Sequence, residues 1–318
     1  MRALRIVYMG SSEFAVPALR ALTRLPEVQV PLVFTQPDRP RDRGKKLQPT
    51  PVKQFAETAR IQTVSPERLS DAAVPAALAE AAPDLIVVAS YGKILPKSVL
   101  EFPALGCVNI HASLLPKYRG AAPIHWAVAD GETETGVTLI FMDEGLDDGD
   151  MIAQRRVPIG DLDTGRLTAA LAEAGAELLL ETLPAIADGT APRVPQDETL
   201  ATYARKVTKE DAHIDFAQGA REALRQIRAA NPDPGAYAQI GDSRLKIVSA
   251  RLPLAEGEQG LSTRVALPGT VLSVSAQGIF VQTGNGLLVI DAVGMPGKKP
   301  MSLADYLRGN AFPGGRLE

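Results

Sequence analysis

An asparagine and a histidine two residues apart, Asn109 and His111, are the side chains of this sequence best suited to chemistry. They follow one another at the end of an apolar run, residues 106–110, that predicts a buried β-strand. Side chains two apart leave the same face of a strand, so the amide and the imidazole could bind one developing oxyanion from two directions. Asp147 lies in a Gly-flanked turn, residues 145–150, from which it could reach His111, favour its protonated form and order a water molecule.

Each of these features also has a plainer interpretation. Asn-x-His at a strand end is often a turn former beside a hydrogen-bonded histidine, and Asp-Asp-Gly-Asp is often a solvated turn. The turn lacks the spacing and the terminal Glu of an EF-hand, so calcium is not expected. Ser113 near His111 suggests a nucleophile, but no Gly-x-Ser-x-Gly is present. Cys107 lies inside the strand and is predicted to be an inert core thiol, and Gly10 belongs to no dinucleotide-binding motif.

The elements that must position these residues alternate between strand and helix in the first part of the chain. Helical spacing of apolar residues covers 14–25 and, in an Ala-rich segment, 164–187. This alternation predicts an α/β fold with a doubly wound, mostly parallel sheet, in which ligands bind beyond the carboxyl ends of the strands. The predicted strands are 5–9, 28–34, 84–89, 106–110 and 135–141.

The pattern changes in the last third of the chain. Residues 188–195 are punctuated by Gly and Pro, and a helical segment near 220–230 is followed by five short strand patterns. These predict a small C-terminal β-barrel resembling an oligonucleotide-binding (OB) fold, although a β-sandwich fragment fits the pattern nearly as well. The predicted domains are 1–190, a linker at 191–204, and 205–318. The five strand patterns are 237–240, 245–250, 269–274, 279–283 and 287–293.

Composition excludes several classes of protein. One cysteine allows no internal disulfide, and three histidines without a Cys-x-x-Cys pair offer no structural zinc site, so we expect metal-free chemistry. No apolar run approaches the roughly 20 residues that span a bilayer, and the first residues predict a strand and not a signal peptide. These features predict a cytoplasmic protein that does not bind membranes.

Charge is distributed unevenly. The net charge is −3, with 20 Lys and Arg against 26 Asp and Glu in residues 1–204, and 14 against 11 in residues 205–318. Residues 36–53 hold six basic side chains and two acidic ones. An acidic body with a basic loop and a basic C-terminal module suits a polyanionic partner that is contacted at two places.

Four segments together resemble the catalytic signature of folate-dependent formyltransferases. They are Asn-Ile-His-Ala-Ser-Leu-Leu-Pro from residue 109, Tyr-Arg-Gly-Ala-Ala-Pro-Ile from 118, Glu-Thr-Gly-Val-Thr from 134, and Met-Asp-Glu-Gly-Leu-Asp-Asp-Gly-Asp from 142. Enzymes that formylate glycinamide ribonucleotide or sugars share this signature, so it indicates the reaction and leaves the acceptor open.

Other segments are similar to methionyl-tRNA formyltransferases. The basic loop Phe-Thr-Gln-Pro-Asp-Arg-Pro-Arg-Asp-Arg-Gly-Lys-Lys-Leu from residue 34, with Pro-Val-Lys from 51, is similar to their inserted loop. In the C-terminal part the similar segments are Ala-Thr-Tyr-Ala-Arg-Lys-Val from 201, Ile-Arg-Ala-Ala-Asn-Pro from 227 and Gly-Lys-Lys-Pro-Met from 297. The resemblance covers nearly the whole chain. It implies a monomer that formylates methionyl initiator tRNA with 10-formyltetrahydrofolate as donor.

The resemblance also implies roles for residues. The catalytic ones are Asn109, His111 and Asp147. The folate site is formed by Ser113, Leu114, Leu115 and Pro116, and by Ala89, Tyr91 and Gly92 through backbone groups. The contacts to tRNA are made by Arg39, Arg43, Lys45 and Lys46.

Two departures from the family pattern concern tRNA contacts. Arg41-Asp42 stands where the family often has a small residue and Gly, and the segment 231–235 lacks a common Trp. Two alternatives remain at this point. One is a formyltransferase for a nucleotide sugar or another small amine, which would need no basic loop. The other is a non-catalytic RNA-binding protein on the same scaffold, which would not need Asn109, His111 and Asp147.

Overall fold

A computed structural model describes residues 3–41, 46–254, 266–294 and 299–318, except for the side chains of Arg41 and Lys46. The chain divides into two compact units. The first comprises residues 1–123, 134–158 and 168–205, and the second comprises residues 124–133, 159–167 and 206–318. The domain boundaries expected from the sequence stay a prediction.

A seven-stranded sheet organises the first unit. Its strands are β1 (Leu4–Gly10), β2 (Val28–Phe34), β5 (Gln62–Val64), β6 (Leu85–Ala89), β7 (Cys107–His111), β9 (Glu134–Phe141) and β10 (Met151–Pro158). Their spatial order is β10-β9-β7-β6-β1-β2-β5. The pairs among β7, β6, β1, β2 and β5 are parallel, whereas β9 pairs antiparallel with β7 and β10. This mostly parallel sheet confirms the predicted α/β class.

Burial explains why β6 is apolar throughout and why β7 is apolar apart from Asn109 and His111. Every residue of β6 and β7 is buried, as expected for strands covered on both faces.

Strand order reverses at β1, which lies between β6 and β2. In sheets of this kind, ligands bind in the crevice at the carboxyl ends of the strands beside such a reversal. The α-helices among the described residues are α1 (Val16–Leu22), α2 (Pro51–Thr58), α3 (Ala73–Ala81), α4 (Lys97–Leu100), α5 (Pro123–Asp130), α6 (Thr164–Ala187), α7 (Ala220–Ala230) and α8 (Leu303–Leu307).

Helix α6 packs closely on β7 because it has a glycine at the contact. A Cβ added to Gly175 would lie 2.8 Å from Cγ2 of Ile110, the residue between Asn109 and His111. Any larger side chain at 175 would therefore push on the strand that carries both polar residues.

Two short ribbons flank the sheet. Strands β3 (Arg39–Arg41) and β4 (Lys46–Gln48) pair antiparallel. Strands β8 (Arg119–Gly120) and β11 (Tyr203–Ala204) pair parallel. The second ribbon attaches the end of the segment expected to be a linker to the first unit.

The second unit is built on an antiparallel sheet. Its strands are β12 (Tyr237–Ile240), β13 (Ser243–Arg251), β14 (Val271–Ser275), β15 (Gly278–Gln282), β16 (Leu287–Gly294) and β17 (Met301–Ser302). Their spatial order is β12-β13-β16-β15-β14, and β17 pairs with β16. All five predicted strands are present. The core between this sheet and its helices includes Leu224, Ile227, Ile247 and Leu288.

The C-terminal residues close this sheet. Leu317 bridges Ile240 at the β12 edge and donates its N–H to the carbonyl of Gly269, next to β14, at 2.8 Å. This closure favours the predicted small barrel over a sandwich fragment.

Within the described ranges, no helix combines the length and the apolar character needed to cross a membrane. The same residues contain no group of three or more His, Cys, Asp or Glu that could hold a metal ion.

Candidate active site

Strand β7 presents Asn109 and His111 at the carboxyl edge of the sheet. Asn109 is 9% exposed and His111 5% exposed, so both polar side chains are held in a nearly dry environment. Their backbones are fixed by pairing with β9, where Asn109 lies opposite Ile140 and His111 opposite Thr138. The strand therefore sets the direction in which both side chains project.

Asp147 reaches the same place from the turn between β9 and β10. Its Oδ1 accepts a hydrogen bond from Nδ2 of Asn109 at 3.3 Å, and its Oδ2 lies 3.6 Å from Nδ1 of His111. The backbone N–H of Gly120 also donates to Oδ2, at 2.8 Å. The structure thus brings together the three residues predicted to be catalytic, and their catalytic roles stay a prediction.

The surroundings of His111 specify where its protons lie. Nε2 lies 2.9 Å from the carbonyl oxygen of Tyr118, which can only accept, so Nε2 carries a proton. Nδ1 faces the carboxylate of Asp147, which also only accepts when ionised. A proton on both nitrogens, the imidazolium, is the form that satisfies both neighbours.

Asn109 keeps a donor to spare. Its amide has two N–H groups, and only one of them is used within the described part of the chain, by Asp147. The second N–H and the His111 Nδ1–H, whose 3.6 Å approach to Asp147 is long for a hydrogen bond, are the donors that an incoming oxyanion could accept from.

The loop that carries Asp147 also contains a pair of neighbouring acidic side chains, Asp143 and Asp148. Desolvation raises the pKa of the Asp148 carboxyl, and a hydrogen bond and charge repulsion from Asp143 raise it further. Asp147 differs because it faces hydrogen-bond donors. Adjacent carboxyl groups of this turn therefore have different neighbours, hydrogen-bond donors for Asp147 and a second carboxyl group for Asp148.

The segment predicted to line the folate site, residues 113–116, is held by hydrogen bonds to β9 and β10. Thr138 donates its hydroxyl to the carbonyl of Ser113 at 2.7 Å and accepts from the N–H of Leu115 at 3.1 Å. Nε2 of Gln154 donates to the carbonyl of Leu115 at 2.7 Å. The Ser113 hydroxyl donates to the carbonyl of Lys117 at 2.6 Å, so it does not act as a nucleophile in this arrangement. Leu114 is half-buried, and the Leu115–Pro116 peptide bond is cis.

The other predicted folate residues follow β6. Ala89 is its buried last residue, and Ser90 and Gly92 both have positive φ, 44° and 76°. The Tyr91 side chain is 2% exposed, and burial raises the pKa of its phenol to about 12. The phenol therefore points into the core, and the folate role of this loop stays a prediction.

Two of the four predicted tRNA contacts, Arg39 and Lys46, lie on the β3–β4 ribbon. Arg39 is exposed at the start of β3. Lys46 begins β4, and its side chain lies outside the described set, as do Arg43 and Lys45 entirely. Beside the ribbon, Lys53 pairs with Asp38 at 2.8 Å. Of the basic loop side chains, Lys53 therefore serves structure, whereas Arg39 is available to a partner.

Sequence reasoning missed two residues at the site, Arg119 and Gln196. Arg119 is 1% exposed and bonds to Gln196 and Glu198, and Gln196 bonds to the backbone of the Asp147 turn. Gln196 stands in a stretch whose Gly and Pro content predicts only a linker, and no local pattern indicated its contact with a turn about fifty positions earlier.

Family models match both parts of the chain. The model "Formyl transferase" matches residues 3–183, and "Formyl transferase, C-terminal domain" matches residues 206–311. Curated relatives extend over the full length. The protein named methionyl-tRNA formyltransferase from Moorella thermoacetica is 46% identical over 99% of this chain and 99% of its own length. Its namesake from Pelotomaculum thermopropionicum is 45% identical over 98% and 97%. The chain belongs to the methionyl-tRNA formyltransferase family.

Solved structures show the same fold at lower identity. HypX from Aquifex aeolicus in complex with tetrahydrofolic acid matches with a TM-score of 0.64 and 20% identity, over 96% of this chain and 47% of HypX. The sugar 3N-formyltransferase WlaRD, solved with dTDP and 5-N-formyl-THF, matches with a TM-score of 0.64 and 19% identity, over 94% of this chain and all of WlaRD. Because it belongs to this family, the chain is an enzyme. The solved structures show that it has the formyltransferase fold.

Proposed function

We propose that Asn109, His111 and Asp147 catalyse transfer of the formyl group of 10-formyltetrahydrofolate to the free amino group of methionyl initiator tRNA. The observation that carries this proposal is the convergence of the three side chains at the carboxyl edge of the sheet, where Asp147 lies 3.3 Å from Asn109 and 3.6 Å from His111. Membership of the family supplies the reaction and the acceptor, and the geometry supports the proposed roles.

The chemistry of the loops fits a reduced folate. A pterin is a flat ring with several donors and acceptors along its edge, which suits a loop that offers backbone groups while its aromatic side chain, Tyr91, is buried. The folate supplies the formyl carbonyl when bound. Residues 89–92 and 113–116 would hold it on the two sides of Asn109.

Asn109 and His111 stabilise the negative charge. When the amine attacks the formyl carbon, the carbonyl oxygen becomes an oxyanion, and the free N–H of Asn109 and the imidazolium of His111 donate to it. Each donor contributes roughly 3 kcal/mol, the loss typical of removing one oxyanion donor. Since both side chains are buried, their dipoles act with little screening by water.

Asp147 handles the proton. The attacking amine loses one proton as the new C–N bond forms, and the leaving nitrogen of the folate gains one as the old C–N bond breaks. The carboxylate accepts the first proton through a water molecule and returns it through that water to the leaving nitrogen, and while ionised it favours the charged form of His111. All three residues come from one chain, so we infer that the enzyme works as a monomer, in the cytoplasm where charged tRNA is found.

Replacing Asp147 with Asn tests the division of labour. We expect kcat to fall by about 10²- to 10⁴-fold, the usual contribution of acid–base catalysis, with little change in the KM for folate. The measurement is transfer of labelled formyl from 10-formyltetrahydrofolate to methionyl initiator tRNA. Asp150→Asn is the matched control, because Asp150 is in the same turn but its carboxylate faces Arg193 at 3.8 Å. Equal losses in kcat and folate affinity would contradict the proposal.

The acceptor is tested in the same assay. Methionyl initiator tRNA should be formylated far faster than an amino sugar nucleotide or methionine methyl ester. Faster turnover of the amino sugar nucleotide would assign the enzyme to small-molecule formylation.

A further inference from the structure

The backbone at Asp147 adopts a conformation that residues with a Cβ rarely adopt, although Asp tolerates it better than most. Its φ is +54°, in the left-handed region where a side chain with a Cβ is strained. This conformation aims the carboxylate at Asn109 and His111. Such a geometry persists only when surrounding contacts fix it, so the contacts of the turn itself identify what keeps the carboxylate in place.

The side-chain amide of Gln196 makes those contacts. Its Nε2 donates to the carbonyl of Asp147 at 2.8 Å and to the carbonyl of Gly149 at 2.9 Å. One amide group thus holds the backbone on both sides of Asp148. Because Gln196 lies on a different segment, residues 194–205, it ties the turn to a distant part of the chain.

Arg119 determines which way the amide of Gln196 points. Its Nε and Nη2 donate to Oε1 of Gln196 at 3.0 and 2.9 Å, and its guanidinium also pairs with Glu198 at 2.7 Å. A guanidinium only donates and the two turn carbonyls only accept. A neutral amide is the group that accepts from one side and donates to the other, so the buried arginine leaves Nε2 facing the turn.

Arg119 also links this contact to the other side of the site. The next residue, Gly120, donates its N–H to Oδ2 of Asp147 at 2.8 Å, and the preceding carbonyl, that of Tyr118, accepts from His111. The same three-residue stretch therefore contacts the Asp147 carboxylate directly and its backbone through Gln196.

We propose that Gln196, oriented by Arg119, is the positioning residue that holds the Asp147 carboxylate in its working geometry. This inference rests on the proposed function, since it assumes that Asp147 acts in catalysis. The segment that contains Gln196 accordingly contributes to the turnover rate as well as joining two parts of the chain.

Two substitutions of Gln196 separate the parts of the argument. Gln196→Met keeps the length and removes both polar atoms. Gln196→Glu keeps the bond to Arg119 and removes the donor, placing an acceptor against two carbonyls. We expect both to lower kcat by about 10- to 100-fold, the loss produced by misplacing a catalytic group by up to ~1 Å, with KM values for folate and tRNA changed less than about twofold.

A matched control comes from another Arg–Gln pair. Gln29 accepts from Nη1 of Arg5 at 2.7 Å near the start of β2, at the opposite edge of the sheet from the site. Gln29→Met should leave kcat and KM unchanged. Circular dichroism and thermal unfolding show whether each variant is folded, and if Gln196→Met loses its melting transition, the test uses Gln196→Glu, which retains the Arg119 bond.

A double substitution distinguishes positioning from a general structural role. If Gln196 acts through Asp147, adding Gln196→Met to Asp147→Asn lowers kcat no further than Asp147→Asn alone. Full additivity, an unchanged kcat in Gln196→Met, or a loss confined to KM would each overturn the inference while leaving the proposed function standing. Normal turnover by Asp147→Asn would instead overturn the proposed function, and the inference with it.

Discussion

The role of an acidic side chain at this site depends on the groups that surround it more than on its residue type. Asp147 faces the donors of Asn109, Gly120 and His111, whereas its neighbour Asp148 is desolvated and lies against the Asp143 carboxyl, and both effects raise the pKa of Asp148. The sequence places three acids in one Gly-flanked turn and predicts that Asp147 could reach His111, a choice that the family resemblance supported. The structure supplies the contacts that join Asp147 to Asn109 and His111.

The single thiol gives a test at this level. Cys107 is 2% exposed, and burial raises its pKa to about 12. Because the thiolate is the reactive form, we expect the native protein at pH 8 to react with a thiol reagent such as DTNB at least about 100-fold more slowly than the unfolded protein. The measurement is labelling with and without denaturant. Stoichiometric labelling of the native enzyme within the mixing time would contradict burial of β7.

Among the elements, the short ribbon of β8 and β11 matters more than its length suggests. Gly120 has φ +109°, and a Cβ there would lie 2.9 Å from the carbonyl oxygen of Ala204. Only glycine therefore fits at position 120 without backbone strain and a clash with Ala204. The same residue supplies the N–H that binds Asp147.

Gly120→Ala should damage both stability and turnover. The strain and the clash cost about 1–3 kcal/mol, which corresponds to a fall of several degrees in Tm, and displacement of the N–H should lower kcat at least about tenfold. Gly189→Ala is the control, since Gly189 also has a positive φ, +69°, but has no neighbour within 4 Å of an added Cβ. It should lower Tm without changing kcat. Wild-type kcat in Gly120→Ala would show that this backbone contact is dispensable.

Most elements could be predicted from local patterns. Strand β6 and most of β7 are apolar because both faces are covered, and α6 and α7 lie where helical spacing predicted them. Strand β10 was not predicted, because an edge strand with Gln154, Arg155 and Arg156 has no apolar run. Its pairing with β9 supplies what its own residues do not indicate.

For the molecule as a whole, the distribution of charge predicts that salt affects the binding of the two substrates differently. The net charge of −3 conceals the six basic side chains of residues 36–53, which suit a polyanion. The folate is a small ligand held beside buried side chains. Salt should therefore weaken tRNA binding much more than folate binding.

Arg39→Ala tests this distribution. Loss of one phosphate contact should raise the KM for methionyl-tRNA and reduce the slope of its salt dependence by about 1 on a log–log plot, with the KM for folate unchanged. The measurement is the KM for each substrate between low and moderate salt. Arg24→Ala, an exposed arginine on another part of the surface, is the control. An identical salt slope in wild type and Arg39→Ala would remove Arg39 from the tRNA contacts.

The sequence by itself determined the mostly parallel sheet, the five short strands of the C-terminal part, and the placement of Asn109 and His111 on one strand face, because strand periodicity is a local property of the chain. The choice of a small barrel over a sandwich fragment needed the contacts of Leu317 with Ile240 and Gly269, which close the sheet. Tertiary structure alone decided how Asp147 is held. Its geometry depends on Gln196 and Arg119, which are 49 and 28 residues away along the chain and act through an amide whose orientation a buried guanidinium sets. No local pattern encodes such a contact, since it exists only once distant segments have folded against the same turn.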